Sequence, residues 1–439
     1  MHRILLIFFL FFAGNSFAAK VSILNWQENA QLNGTGKTSE VLFQAKASDL
    51  KPGYGLTSFS IIFDDKQKIK ITQAKCDDKI AKYNFAHNEL TIQFPTALKN
   101  NSSVWVYFSY EEKYDQINRF LREEAIFIPE FAAGAKAKVA LNFSSDYESA
   151  TFNSHIIKED GRFIYSNTVP QNGVRELVKL TPSQSTWDVN VEVKVKSEKP
   201  LDKISFSFPN YFQSPAQKVE NYAIATNATA LEQKLEQGRR KFTFAGKKHE
   251  IIVQNRATIF TGKKYRQPFT RNPAAYSKVS EEERILLSDI LEKIKRSRDY
   301  EDLPLYAKIG KFVHDYIKYD ANYVGRLPQL KDLLQNPVGV CTEYAKLYSA
   351  LARLAGIPAL IIHGGACGEP GKCEGHSWNA IYYNGKWMEV DATWNLMSGI
   401  VSSSHIYLND EYNDEVSSEY RDNGGKITSS IDLKIKNLL

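Results

Sequence analysis

At 439 residues, with 43% hydrophobic and 12% aromatic side chains, the chain is too long for one ordinary core and should hold two to four domains. A mixed-charge composition without a long low-complexity tract excludes a disordered chain after the N-terminal leader. The net charge of +6 is modest for this length.

Residues 1–18 begin with His2 and Arg3, continue in an unbroken apolar run from Ile4 to Phe12, and end in Ser16, Phe17 and Ala18. That order is the pattern of a secretory signal peptide cleaved near Ala18 or Ala19. The run is too short for a spanning helix and no second long apolar run follows, so no transmembrane segment is expected after cleavage. The expected location is exported, periplasmic or extracellular.

From Lys20 to about Phe260 the apolar residues recur with period two. Val104, Val106, Phe108 and Tyr110 trace one strand, Trp187, Val189, Val191, Val193 and Val195 a second, and Ile204, Phe206 and Phe208 a third. These patterns predict two β-rich, sandwich-type accessory domains, over residues 19–125 and 126–270. Neither carries a cluster of catalytic residue types or an HExxH zinc motif, so their expected role is positioning or binding. Between Lys234 and Lys278 stand twelve Lys or Arg against two Glu. Such a stretch suits an anionic envelope or polymer, or is simply the solvated face of ordinary strands. No stacking-aromatic pattern accompanies it, so nucleic acid is not an expected partner.

The pattern changes near residue 279, and a third domain, α+β, is expected over 271–439. Ser280 with Glu283 forms a capping box ahead of Leu286, Leu287, Ile290, Leu291 and Ile294 at helical spacing. Leu305, Ile309, Phe312, Val313 and Tyr316 mark a second helix. A third should begin close to Cys341 after Pro337 and Gly339, bury Tyr344, Tyr348, Leu351 and Ala355, and end at Gly356 and Pro358. Ala359 to Ile362 is a short strand. Ser377–Tyr383 and Lys386–Asp391, joined by Asn384 and Gly385, form a hairpin.

Four cysteines are present, at 76, 341, 367 and 373. In an exported chain Cys367 and Cys373 are the natural disulfide pair, which leaves Cys76 and Cys341 as free thiols. A thiol at a helix N-terminus is favoured as thiolate by the macrodipole and by unpaired N–H groups, which makes Cys341 the candidate nucleophile. A two-residue turn places Tyr383 opposite Lys386 and Trp378 opposite Asp391. His376, two residues from Trp378, then lies diagonal to Asp391, close enough for the carboxylate to orient the imidazole.

The stretch from Gly339 through Cys341-Thr342-Glu343-Tyr344-Ala345 to Ala355-Gly356-Ile357-Pro358, then Gly375 to Asn379, then Trp387 to Asn395, resembles the core of the transglutaminase-like superfamily. A looser likeness extends upstream to Ile317–Asp320 and downstream to His405 and Ile406. The resemblance implies a papain-like α+β fold with the cysteine helix packed on a sheet. It further implies that Cys341 attacks a carboxamide carbonyl, that His376 acts as base and then acid, and that Asp391 orients His376. Animal cross-linking enzymes of this superfamily stabilise the oxyanion with a tryptophan upstream of the cysteine, yet none lies between Trp187 and Trp378 here. The backbone N–H of Cys341 is one donor, and Tyr319 and Trp378 are the candidate substrate or oxyanion contacts.

His363, Cys367, Cys373 and His376 are also a possible zinc set, but export favours the disulfide and a metal would consume His376. No metal or other cofactor is therefore expected, and His363 and His405 are expected as structural residues or as supports behind the reacting groups, not as catalytic ones. The expected activity is a thiol protease or amidase working on a protein or peptide substrate, with envelope-associated proteins among the candidates. The alternatives are a protein-glutamine transferase using the same residues and a non-catalytic binding module.

Overall fold

The computed structural model describes residues 20–438, apart from 34–35, 51, 64–67, 114–119, 129–131, 144–146, 151–154, 211–213, 215, 237–238, 267–268, 298–302, 327, 370–371, 411–416 and 421–425. The leader expected over residues 1–18 lies outside the described residues. Strands predominate and helices are few. Among the described residues no helix is long and apolar enough to cross a membrane. The chain divides into two compact units, residues 1–147 with 153–178, and residues 148–152 with 179–439.

The first unit is built on an eight-stranded sheet whose middle four strands run Lys136–Phe143, Lys20–Asn33, Gly36–Ser48 and Ser103–Lys113. Lys20–Asn33 pairs in parallel with Lys136–Phe143 and antiparallel with Gly36–Ser48. Period-two burial follows the sequence pattern, with Val104, Val106, Phe108 and Tyr110 all buried on one face. A second sheet, Leu56–Ile62, Glu89–Leu98 and Tyr83–Ala86, meets that face. Phe43 of the large sheet packs edge-on against Phe59 of the small one at 5.4 Å, and Phe59 stacks on Phe94. Burying aromatic and branched side chains between two sheets contributes roughly 1.5–3 kcal/mol each, and this holds the unit together.

In the second unit two long strands, β1 (Ser185–Pro209) and β2 (Arg239–Thr261), pair antiparallel with irregularities near Lys196–Lys203. Trp187, Val189, Val191 and Val193 are fully buried, as their alternation with polar residues predicts. Among the described residues four α-helices follow, α1 (Glu281–Arg296), α2 (Leu305–Tyr316), α3 (Leu330–Gln335) and α4 (Cys341–Leu354). They are accompanied by an antiparallel sheet of β3 (Ala359–Glu369), β4 (Lys372–Tyr383), β5 (Lys386–Val390) and β6 (Ile406–Asp410), in the order β5-β4-β3-β6. One compact unit therefore contains both the long strands before residue 270 and the helices after it.

Local chemistry accounts for these elements. Ser280 and Glu283 form the reciprocal capping box that starts α1. Leu287, Leu291 and Ile294 of α1, Ile309 and Val313 of α2, and Tyr348 and Leu351 of α4 bury one apolar stripe each in a core shared with Ile381 and Val390 of the sheet. The helix α4 ends where Ile357 N–H bonds Ala352 O and Gly356 takes a φ of 79°. Asn384 and Gly385, both at positive φ, close a two-residue turn between β4 and β5. Its register pairs Tyr383 with Lys386 and Asn379 with Val390, as the spacing predicts.

Three features of this unit differ from the sequence expectation. The strand after Pro358 runs to Glu369 and carries the cysteine loop as a long hairpin, because Cys367 sits directly opposite Cys373 in the β3–β4 ladder. The short helix α3 was not anticipated; its six residues carry too little periodicity to register. A last strand, β7 (Ile427–Asn437), pairs antiparallel with Trp187–Ser197 of β1, a contact between residues some 240 apart that local patterning does not disclose.

Candidate active site

Cys341 is the first residue of α4, which lies against β3 and β4. The backbone just before it is pinned: Val340 N–H donates to the buried Glu343 carboxylate at 2.9 Å, the charge-assisted half of a capping arrangement. Gly339 is required by this packing, since a Cβ there would lie 2.7 Å from Glu343 Cβ. The N–H of Cys341 belongs to the helix's first turn, whose donors have no intrahelical acceptor.

The central strand β4 delivers His376 to this helix end, and the turn after β5 delivers Asp391. His376 Nε2 donates to Asp391 Oδ2 at 2.9 Å, with the histidine 8% exposed and the aspartate 0%. The Cys341 thiol is within reach of the same imidazole and of the Ser377 N–H, and both favour its thiolate. With Nε2 committed to Asp391, the ring offers Nδ1 to the sulfur. The three residues singled out from the sequence thus form one connected line, sulfur to imidazole to carboxylate.

The electrostatics favour charge separation along that line. Burial raises the Cys341 thiol, but the hydrogen bond from His376, its positive charge and the Ser377 N–H outweigh it and lower the thiol below its ordinary value. Burial lowers His376, yet the Asp391 carboxylate and the Cys341 sulfur push it up to about 10. Cys76, the other free thiol, is the opposite case: burial and then Asp77 push it up to about 11, as for an inert core cysteine.

The Asp391 carboxylate accepts four hydrogen bonds. Oδ1 takes the N–H groups of Thr393 and Trp394 at 2.8 and 3.2 Å. Oδ2 takes His376 and, at 3.0 Å, Nε2 of His405. The turn it opens is anchored in its own right, with His314 Nδ1 against the carbonyls of Ala392 and Thr393 and Lys179 Nζ donating to Trp394 O at 2.7 Å. That anchoring presents the Trp394 indole to His376, with ring centroids 4.9 Å apart.

Tyr319 and Trp378 are placed differently from each other. Residues Lys318–Tyr319 pair in parallel with Val338–Gly339, which sets Tyr319 beside the approach to Cys341, half exposed and with its ring against Tyr344. Burial, followed by the charges of Cys341 and Glu374, raises its hydroxyl pKa. Trp378 is not available as an oxyanion donor: its indole is 1% exposed and its N–H is given to Glu389 Oε1 at 2.9 Å. The physical reason is burial, since an interior indole N–H takes an interior acceptor. Glu389 in turn pairs with Arg266, which also reaches Ser402 O.

Cys367 and Cys373 are joined in a disulfide, so the alternative zinc set does not assemble, and His363 instead bonds Ser377 Oγ at 2.9 Å. A different trio, His376, Asp391 and His405, brings ligand atoms within 4.8 Å of one another. Those atoms are bonded among themselves here. His314, Lys179, Trp394 and Arg266 carry no motif of their own, and only Trp394, three residues past Asp391, sat within the matching stretch.

Residues 292–392 match the Transglutaminase-like superfamily, so the C-terminal part of the chain carries a transglutaminase-like domain. Kyphoscoliosis peptidase of Mus musculus is 27% identical over 140 residues, and that of Homo sapiens 28% over 141. Each alignment takes in 29% of this chain and 20% of the relative, so the chain spans about a fifth of these relatives. A solved structure from Cytophaga hutchinsonii, described as a candidate cysteine protease, aligns at 15% identity and a TM-score of 0.42, over 58% of this chain and 91% of that one.

Proposed function

We propose that the C-terminal domain is a thiol hydrolase of peptide or carboxamide bonds, with Cys341 as nucleophile, His376 as base and acid, and Asp391 as its orienter. The observation that carries this reading is the His376–Asp391 hydrogen bond with the Cys341 thiol beside the imidazole, the thiol lowered and the imidazole raised. The thiolate adds to the carbonyl carbon, and the oxyanion that forms sits against the Cys341 N–H at the head of α4. His376 gives its proton to the leaving amine and the C–N bond breaks, leaving a thioester on Cys341. A water molecule then loses its proton to His376, attacks the thioester, and releases the carboxylic acid with the sulfur restored. Tyr319, beside the helix head, is the proposed second contact for the substrate carbonyl.

The peptidase name carried by the mouse and human relatives supports hydrolysis over transfer, although transfer to an amine would use the same thioester. The proposed setting is extracytoplasmic, with a protein or peptide as substrate and the strand-rich regions in a positioning role. The test compares wild type with Cys341→Ala on a whole-protein extract, reading new N-termini and isopeptide cross-links by mass spectrometry. New termini that vanish in the variant are the expected result. Cross-links in their place would assign the transferase, and a fully active Cys341→Ala would remove Cys341 as nucleophile.

A further inference from the structure

We propose that His405 is a positioning residue of the Cys341 site: its Nε2 donates to the oxygen of Asp391 that His376 also uses, so that the carboxylate charge is divided between two imidazoles. The inference rests on the nucleophile assignment made above. The two Nε2 atoms stand 2.9 and 3.0 Å from Asp391 Oδ2, and Oδ1 is filled by the Thr393 and Trp394 N–H groups. A carboxylate has about four lone-pair sites, so Asp391 has no site left for water and no freedom to turn.

His405 itself is 2% exposed and enclosed edge-on by Trp378, Trp394 and His376, at 5.0, 4.8 and 5.2 Å. Its Nδ1 is buried without a hydrogen-bond partner, a desolvation with nothing to offset it. A leucine would fill such an aromatic box without that loss, so the group that explains a histidine here is the Nε2–H given to Asp391. The charged groups facing it are Asp391 on the turn after β5, His376 on β4 and Arg266 on the segment after β2, with Glu389 bonded to Arg266 and Cys341 beyond His376. Burial, the cationic His376 and Arg266 keep the ring neutral against the pull of Asp391. A neutral ring bonded through Nε2 to a carboxylate carries its single proton on Nε2.

A neutral donor on Asp391 weakens the carboxylate's hold on the His376 proton. Removing it should make the imidazolium harder to deprotonate. The experiment measures the rate of Cys341 alkylation by iodoacetamide against pH, in the full chain, for wild type, His405→Leu and His405→Gln, with thermal midpoints alongside. Two titration steps are expected in wild type, thiolate formation at low pH and imidazolium loss at high pH. In His405→Leu the upper step should rise by about half a pH unit, roughly threefold in proton affinity. His405→Gln, whose amide N–H takes the place of Nε2–H, should restore the wild-type step. If His405→Leu does not fold, His405→Asn replaces it, since its donor is too short to reach Oδ2 and the same rise is expected. Upper steps that superimpose in all variants, whatever their midpoints, overturn the role of His405 and leave Cys341 as nucleophile. A wild-type Cys341 that titrates as an ordinary thiol overturns both.

Discussion

The Trp394 indole lies over the His376 imidazole, the ring centroids 4.9 Å apart and the planes 29° from parallel. A half-buried indole in that position keeps water from the hydrogen bond between His376 and Asp391, and a charged hydrogen bond is worth more where water is excluded. Trp394→Ala is expected to slow Cys341 alkylation at pH 6 by about tenfold, equivalent to about 1.4 kcal/mol, with a smaller change in thermal midpoint. An unchanged rate would show that the indole plays no part in holding the pair.

The raised His376 has a consequence for stability whose sign is fixed. A folded-state pKa above the unfolded value near 6.5 contributes stability that is complete below pH 6.5 and is lost as the pH rises toward about 10. The thermal midpoint of wild type minus that of His376→Gln should therefore shrink steadily between pH 6.5 and 10. A difference that grows over that interval would contradict the imidazolium assignment.

Gly339 and Glu343 make the head of α4 intolerant of even one methyl group. With a Cβ placed 2.7 Å from Glu343 Cβ, Gly339→Ala is expected to cost about 1–3 kcal/mol in chemical denaturation. It should also slow alkylation of Cys341, because the turn that positions the sulfur has to move. Loss of stability with an untouched alkylation profile would place the strain elsewhere.

Arg266 and Glu389 are a mostly buried pair, 12% and 6% exposed, with Trp378 completing the hydrogen bonding of the carboxylate. Removing the cation alone strands a buried charge, so Arg266→Met should cost about 3–5 kcal/mol. The double variant Arg266→Met with Glu389→Gln keeps an acceptor for Trp378 without the charge and should recover part of that loss. Equal destabilisation of the two variants would mean that the charge itself is not what matters.

Metal should be dispensable. The three groups that could ligate an ion are already bonded to one another, so a chelator is expected to leave Cys341 alkylation unchanged, while added zinc, if it enters, should slow it by capturing His376. Alkylation that depends on a metal would require a different account of the site.

Much of this was present in local sequence. The capping box at Ser280, the apolar stripes of α1, α2 and α4, and the Asn384-Gly385 turn act over a few residues, and each appears in the structure where its chemistry demands. Because side chains alternate strictly along a strand, the turn alone fixed the register that brings His376 to Asp391. The meeting of Cys341 with His376, by contrast, depends on how α4 packs on β4, which no spacing along the chain encodes. The same holds for the return of β7 to β1, for Lys179 under the turn after Asp391, and for His405. Sequence determined which residues could do chemistry and the local element each sits on, because propensity, capping and period are short-range. Packing alone decided which of them touch, which donors are already spent, as with Trp378, and how far burial and neighbouring charge move each proton, because those depend on the three-dimensional surroundings.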